Sequence, residues 1–284
     1  MSLIRRIAEE ILGPGDRARS IWKRADLIGD IMVLKQPPGV DVDELRLIAE
    51  RVLERLPYVR SVWLAAGPVR GEHRVRERLI HLAGERRTHT VYREHGCSFL
   101  VDIEKVFITP RLSYEHLRVA RLVRPWETVV NMFAGAGLFS VLAACKSRPR
   151  RVYSIDINPE AYKLMSENAM LNRVDSIVIP LLGDAAMITR SMLRGTADRV
   201  LMPLPELALD YIPHALAALR SRGMLHVYLH ISYARGEDPR RKAEHMVEEA
   251  LLHAGATSVS IIGSRRVRPV GPRTDQVVVD AAAG

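Results

Sequence analysis

The sequence is short of cysteine, of aromatic side chains and of lysine. Its only cysteines, Cys97 and Cys145, lie in no CxxC or Cys/His pattern. That argues against a disulfide framework and a structural zinc site, and predicts two reduced, buried thiols and no metal centre. No apolar run approaches the ~18 residues a membrane helix needs. The opening stretch MSLIRRIAEEILGPGD carries acids inside an amphipathic pattern, so it reads as neither a signal peptide nor a span, and a soluble cytoplasmic protein is expected. Repeats and low-complexity segments are also missing. At 284 residues, with 48% hydrophobic and 26% charged side chains, the chain has a globular composition and room for two domains.

Lysine contributes six of the 42 basic residues and arginine the other 36, for a net charge of +9. Guanidinium groups pair with phosphate and stack on bases, which favours a nucleic-acid partner. An arginine-rich thermophile composition explains the same bias. The excess leans to residues 1–125, with 23 Lys/Arg against 17 Asp/Glu; residues 126–284 carry 19 against 16.

Residues 3–12 read as a helix. LIGDIMVLKQP (27–37) reads as a β-type run ended by Pro37-Pro38-Gly39, and 41–56 as a helix behind an acidic start. The stretches 61–67, 88–103 and 104–110 read as strands, so the first third is α+β. A helix is expected over 113–123. From Thr128 strands alternate with helices through TVVNMFA, GLFSVLAACK, RVYSIDI, PEAYKLMSENAMLN and SIVIPLLGD to RGMLHVYLH and QVVVDA. This alternation predicts a parallel sheet covered on both faces. Residues 233–245 read as a charged loop entering a last helix, 243–254. The expected division is a small α+β domain over 1–110 and an α/β domain over 111–284.

In TVVNMFAGAGLF (128–139) a strand runs into Gly135-Ala136-Gly137 and then into an apolar helix start. Glycines there let the backbone approach a ligand at the helix N-terminus. The dinucleotide fingerprint would need glycine where Ser140 stands, which argues against NAD. Nineteen residues past Gly137, Asp156 ends the next strand, placed to accept from two ribose hydroxyls. A third strand ends in Gly183-Asp184, where a side chain can read an adenine edge. Glycine loop, acid and second acid in this order outline a site for S-adenosyl-L-methionine (AdoMet). Its candidate contacts are Asn131, Phe133, Gly135, Gly137, Asp156, Ile157, Asn158, Asp184, Ala185 and Pro203. The bland alternative is an α/β sheet whose strand ends happen to be acidic. After the fourth strand, Pro203-Leu204-Pro205 stands where many nucleic-acid methyltransferases line the target-base pocket, or simply makes a turn.

GEHRVRERLIHLAGERRTHTVYREHGCSF (71–99), VDIEKVFITPRLSYEHLRVAR (101–121), NMFAGAGLFS (131–140), YSIDINPEAYKLMSENAMLN (153–172) and DRVLMPLPELA (198–208) together resemble the archaeal and eukaryotic tRNA (guanine-37 N1)-methyltransferases of the Met-10-like group. The resemblance spans about residues 20–280. It implies a class I Rossmann-fold methyltransferase domain preceded by a small α+β domain that touches tRNA and completes the active site. It also implies AdoMet as donor, and methylation at N1 of guanine 37 beside the anticodon, with the anticodon stem-loop as partner. By position, Glu115 matches the family's general base and Arg111 an active-site arginine, while Arg74, with Arg76 as rival, matches the arginine facing guanine O6. Asn131 replaces a usual aspartate, His116 a common arginine, and Pro203 an asparagine that holds the target base. Two other outcomes belong to the same resemblance: a wybutosine-pathway aminocarboxypropyltransferase using AdoMet, and a non-catalytic tRNA-binding paralogue.

The chemistry asks for these residue types independently. Methylating guanine N1 removes its proton while negative charge moves to O6, so a carboxylate near N1 and a cation near O6 are needed. Glu115 also reads as an ordinary first-turn acid favoured by a helix dipole.

Overall fold

The computed structural model describes residues 3–21, 25–37, 39–67, 69–70, 75–76 and 78–284. The chain divides into two compact units, Met1–Pro110 and Arg111–Gly284.

The first unit contains α1 (Leu3–Leu12), α2 (Asp16–Ser20), β1 (Asp26–Ile28), β2 (Ile31–Lys35), α3 (Val42–Arg55), β3 (Ser61–Ala65), β4 (Val69–Arg70), β5 (Val75–Arg76), β6 (Leu79–Gly84), β7 (His89–Glu94) and β8 (Cys97–Asp102). α3 starts at a capping box. Asp41 accepts from the Glu44 N–H at 2.8 Å while Glu44 accepts from the Asp41 N–H at 3.1 Å. Its apolar stripe Leu45, Ile48, Ala49 and Val52 packs with Val62 and Leu64 of β3 and Ile7 of α1 into one core. The sheet order is β1-β2-β3-β6, and β2 and β3 are parallel because α3 carries the chain across between them.

Several expected elements differ. The run 27–37 splits into the hairpin β1/β2 at Gly29, whose φ is +58° and where a Cβ would meet the Val91 carbonyl oxygen at 2.6 Å. The run 88–103 splits into β7/β8 at His95 and Gly96, with φ of 49° and 82°. Residues 104–110 form no strand. The Asp102 carbonyl accepts from the N–H groups of Lys105 and Val106, and its carboxylate accepts from the Glu104 N–H, so the chain winds into a turn. Cys97 is buried as expected, but Cys145 is only partly so.

The second unit contains α4 (Ser113–Leu122), β9 (Thr128–Asn131), α5 (Leu138–Ser147), β10 (Arg151–Asp156), α6 (Pro159–Leu171), β11 (Val178–Leu182), α7 (Ala185–Ile188), β12 (Ala197–Met202), α8 (Ile212–Ala218), β13 (Leu219–Ser232), α9 (Pro239–His253), β14 (Val259–Gly271) and β15 (Thr274–Ala283). Seven strands lie in the order β11-β10-β9-β12-β13-β15-β14. The first five are parallel. The alternation predicts a parallel sheet, and one strand departs from it: β15 runs antiparallel to both β13 and β14. The reason is the short link Pro272-Arg273, which can close a hairpin but cannot make a crossover. α9 begins at Pro239 rather than 243, because Asp238 caps it by accepting from the Arg240 N–H. Strand order reverses at β9, since the chain moves outward through β10 and β11 and returns to β12 on the other side. This leaves a crevice at the carboxyl ends of the central strands, where α/β sheets bind ligands.

A chain of charged groups crosses the second unit inside its core. Glu127, just ahead of β9, receives both Nε (2.7 Å) and Nη2 (2.9 Å) of Arg199 on β12. Arg199 Nη1 meets His226 Nε2 of β13 at 2.6 Å, and His226 Nδ1 meets Asp280 of β15 at 2.6 Å. Asp280 binds Arg118 of α4 at 2.5 and 3.1 Å, and Arg118 binds Glu115 at 2.6 and 2.9 Å. Because Arg199 can only donate, Nε2 of His226 accepts and the proton sits on Nδ1, pointing at Asp280. Burial lowers the His226 pKa, so the ring is the neutral link. Burial opposes charge on Asp280, yet its bonds to His226 and Arg118 outweigh this and hold its carboxyl far below the usual range.

Two outcomes are expected. Arg199→Ala leaves the buried Glu127 carboxylate unpaired and should cost about 3–5 kcal/mol in urea unfolding. His226 is neutral when folded but takes a proton below about pH 6.5 when unfolded. Stability therefore falls as pH drops below that value, with a slope approaching ~1.4 kcal/mol per pH unit, and His226→Asn should flatten this slope.

Candidate AdoMet and base-modification site

The crevice is built by the loop after β9. Gly135 and Gly137 have φ of +54° and +86°, the left-handed region that glycine adopts without strain. A Cβ on Gly137 would lie 3.0 Å from Met165 of α6, whereas the space beside Gly135 is open. Asp156 holds the loop, accepting from the Gly135 N–H at 2.6 Å and from the Asn158 N–H at 2.9 Å. Asn158 caps α6 by accepting from the Glu160 N–H. Beneath the loop, Ser140 takes a hydrogen bond from Asn131 Nδ2 at 3.1 Å and one from Ser154 Oγ at 2.7 Å, while Asn131 Oδ1 faces the Phe133 N–H at 3.4 Å. Asn131 thus donates and accepts at once, which a carboxylate cannot do, so its replacement of the usual aspartate has a local purpose. Ser140, the residue that argued against a dinucleotide loop, ties β9 to β10.

Asp184 is placed by α7, whose Met187 N–H it accepts at 2.9 Å, and by the Tyr211 hydroxyl at 2.5 Å. Burial works against its charge. The Tyr211 hydroxyl and the Met187 and Ala186 N–H groups outweigh that and keep its carboxyl below the usual range. Tyr211 also meets the ring of Phe133 edge-on, with centroids 5.1 Å apart. Phe133, Asp184 and Tyr211 therefore share one wall, next to the buried Ala185. The open space over Gly135, flanked by two fixed carboxylates and an aromatic ring, suits a nucleoside with a ribose diol and a purine edge, which AdoMet supplies.

Glu115 is buried at 1% exposure in the first turn of α4. Its Oε1 takes three donors: Arg118 Nε, Arg118 Nη2 and, at 2.8 Å, the hydroxyl of Tyr228 on β13. Burial beside this carboxylate pushes the Tyr228 hydroxyl well above its usual pKa, so it stays a donor. Tyr228 contacts Phe139, and Phe139 packs edge-on against His116 with centroids 4.4 Å apart. Through Phe139, at the start of α5, Glu115 is linked to the glycine loop.

The remaining candidates fall differently. Arg111 is exposed in the 3-10 turn Pro110–Leu112, ahead of Glu115. Pro203 directly follows β12, half-buried, and leads through Leu204 and Pro205 into the turns that carry Tyr211. Ile157 lies between Asp156 and Asn158 at the end of β10. Arg74 lies outside the described residues, as does the side chain of its rival Arg76. Sequence reasoning missed Arg118, Tyr211, Tyr228 and Asp280. Arg118 was visible in principle, three residues after Glu115 on one helix face; Tyr228 and Asp280 reach Glu115 only through the sheet, and Tyr211 comes from the turn before α8. Among the described residues no His/Cys/Asp/Glu group can hold a metal ion, and no helix is long and apolar enough to cross a membrane.

Asp156→Ala removes acceptors for both the loop and a ribose diol, so AdoMet affinity by calorimetry should fall at least about tenfold. Tyr211→Phe frees one oxygen of Asp184 and should cost less, about threefold.

The comparisons with known proteins agree with this architecture. The model of the TRM5/TYW2 methyltransferase domain matches residues 90–253. The tRNA 4-demethylwyosine(37)-methyltransferase Taw21 of Saccharolobus solfataricus is 41% identical over 93% of this chain and 95% of its own length. The tRNA (guanine(37)-N(1))-methyltransferase Trm5b of Pyrococcus abyssi is 33% identical over 94% of this chain and 77% of its own. Among solved structures, the complex of aTrm5 with tRNALeu superposes with a TM-score of 0.84 at 31% identity, covering all of this chain and 78% of the other. Trm5 of Methanocaldococcus jannaschii with adenosine gives 0.79 at 30% identity, covering 98% of this chain and 77% of the other. With its class I methyltransferase sheet, its glycine loop and these relatives, the chain belongs to the TRM5/TYW2 methyltransferase family.

Proposed function

We propose that this protein transfers a methyl group from AdoMet to the base at position 37 of tRNA, beside the anticodon. AdoMet, the methyl donor of this family, supplies a methyl group on a positively charged sulfur. The chain's own work is to hold that nucleoside at Gly135, Asp156 and Asp184, and to remove a proton from the acceptor base.

One observation carries guanosine N1 as the acceptor atom. With Oε1 of Glu115 saturated by three donors, Oε2 is left buried with no hydrogen-bond partner. A ring N–H that must lose its proton needs such an acceptor, held in place by bonds to its other oxygen. The excess of arginine supports contacts to tRNA phosphates, and Arg111, exposed in the turn ahead of Glu115, is one candidate for them.

A second reading, the tricyclic 4-demethylwyosine as acceptor, is favoured by Pro203. Proline offers no side-chain hydrogen bond where the guanosine-methylating members have an asparagine amide, and an apolar rim suits a larger ring system. The likeness to Taw21 supports the same reading.

Mass spectrometry of nucleosides formed from unmodified tRNA and from tRNA carrying 4-demethylwyosine tests both. A methyl gain on guanosine 37 upholds the first reading, and a gain on the tricyclic base alone replaces it with the second. An aminocarboxypropyl mass, or no product from either tRNA, removes methyl transfer altogether. Pro203→Asn should shift preference toward guanosine by about tenfold, the worth of one buried hydrogen-bond partner. Binding of tRNA should weaken steeply with salt.

A further inference from the structure

The five parallel strands of the second unit begin along one edge of its sheet, and an exposed arginine stands at each start. Arg124 lies ahead of β9, Arg150 ahead of β10, Arg173 ahead of β11, Arg194 ahead of β12 and Arg220 at the head of β13. With neighbouring strands about 4.8 Å apart, they follow an edge roughly 20 Å long. Among the described residues none of the five meets a carboxylate. Surface arginines elsewhere behave otherwise: Arg46, Arg51, Arg55, Arg60 and Arg240 each hold an aspartate or glutamate. Asp175 is the exposed acid in these stretches. Asp198 is used on the Thr128 N–H and Glu127 on Arg199. The edge is a row of uncompensated positive charge.

Its ligand is indicated by two further features. Trp126 is 66% exposed beside the row, and Arg124 lies over its ring, 5.6 Å from the centroid. Indole and guanidinium are both flat groups on which a nucleic-acid base stacks. At the ends of α5 and α6, Arg148 and Arg173 take φ of 47° and 57°, the left-handed region where glycine or asparagine is usual. The helix dipole favours a cation there, but one placed a turn earlier would serve it without strain. Keeping arginine at both positions therefore favours the side chain over the backbone.

This edge is not the nucleoside crevice. Arg151 begins the strand that Asp156 ends, five residue steps or roughly 17 Å away. A base held at the carboxyl ends of the strands is therefore not the one that meets Trp126.

We propose that the amino-end edge is a second RNA-binding surface, which holds the backbone of an unpaired RNA segment on its arginines and stacks one of its bases on Trp126. Guanidinium forks match phosphate oxygens in pairs, which lysine cannot do. An acidic protein would satisfy the charge but has no base for the indole. The surface serves whichever base the crevice accepts.

The test uses the full chain and a fluorescent oligouridine, which offers phosphates and unpaired bases. Trp126→Ala should weaken its binding about tenfold. The Arg148→Gly/Arg173→Gly double variant should weaken it by at least as much and make the slope of log affinity against log salt shallower by about 1.4. Its Tm should equal or exceed the parent's, since glycine suits both backbones, so a folding defect does not explain the loss. AdoMet affinity, and the KM for an anticodon stem-loop, should stay at the parent's values in both variants. Asp156→Ala should keep its oligouridine affinity. Parent affinity for oligouridine in both variants overturns the proposal. A stem-loop KM that rises along with the oligouridine Kd overturns it too, because the edge would then belong to the substrate's own path. Polyglutamate that competes as well as oligouridine, with Trp126→Ala harmless to both, replaces RNA with an acidic protein.

Discussion

The geometry of the catalytic unit depends on one constraint: six ionisable side chains from Glu127 to Glu115 have been taken out of water and must satisfy one another. Buried ion pairs add little stability over an apolar core, because desolvation consumes most of their attraction. Their value lies in what they fix. Glu127, Arg199, His226 and Asp280 come from separate elements, so Arg118, which holds Glu115 on the same helix, reaches Asp280 and His226 only when α4, β13 and β15 are in register. His226, neutral between a cation and an anion, lets the sequence of charges pass through the sheet without adding one. The outcome is a carboxylate with one oxygen pinned and the other directed.

Much of this unit was legible in the sequence, for local reasons. Alternating strands and helices, the glycines between β9 and α5, and acids at the ends of β10 and β11 are each encoded within a dozen residues. Glu115 was visible as a chemical candidate but equally as a first-turn acid, and nothing in PRLSYE indicates that its neighbour on the helix would be shared with a strand far along the chain. Arg199 and His226 did leave a trace, as polar residues at the start of DRVLM and inside MLHVYLH, where a buried strand gains from a partner across the sheet. The β14 strand was missed because its alternating arginines and register shifts look like a surface loop; it sits at the sheet's edge with one side to solvent.

The departures from the family pattern divide into two kinds. Asn131 is accounted for within the fold, since its amide joins Ser140 and the Phe133 N–H under the glycine loop. His116 is likewise absorbed, packed on Phe139. Pro203 has no side-chain hydrogen bond to give within the fold, which is why the proposed reading of the acceptor base turns on it.

Arg118 and Asp280 are separated by 162 residues. The glycine loop and the carboxylates Asp156 and Asp184 belong to β9, β10, β11 and the turns after them, all early in the unit, whereas Arg118, which binds Glu115, is itself held by Asp280 on β15. During synthesis on the ribosome the glycine loop and its two carboxylates are therefore made well before that network can be completed. The network that positions Glu115 therefore closes only once a strand 162 residues beyond Arg118 has been made.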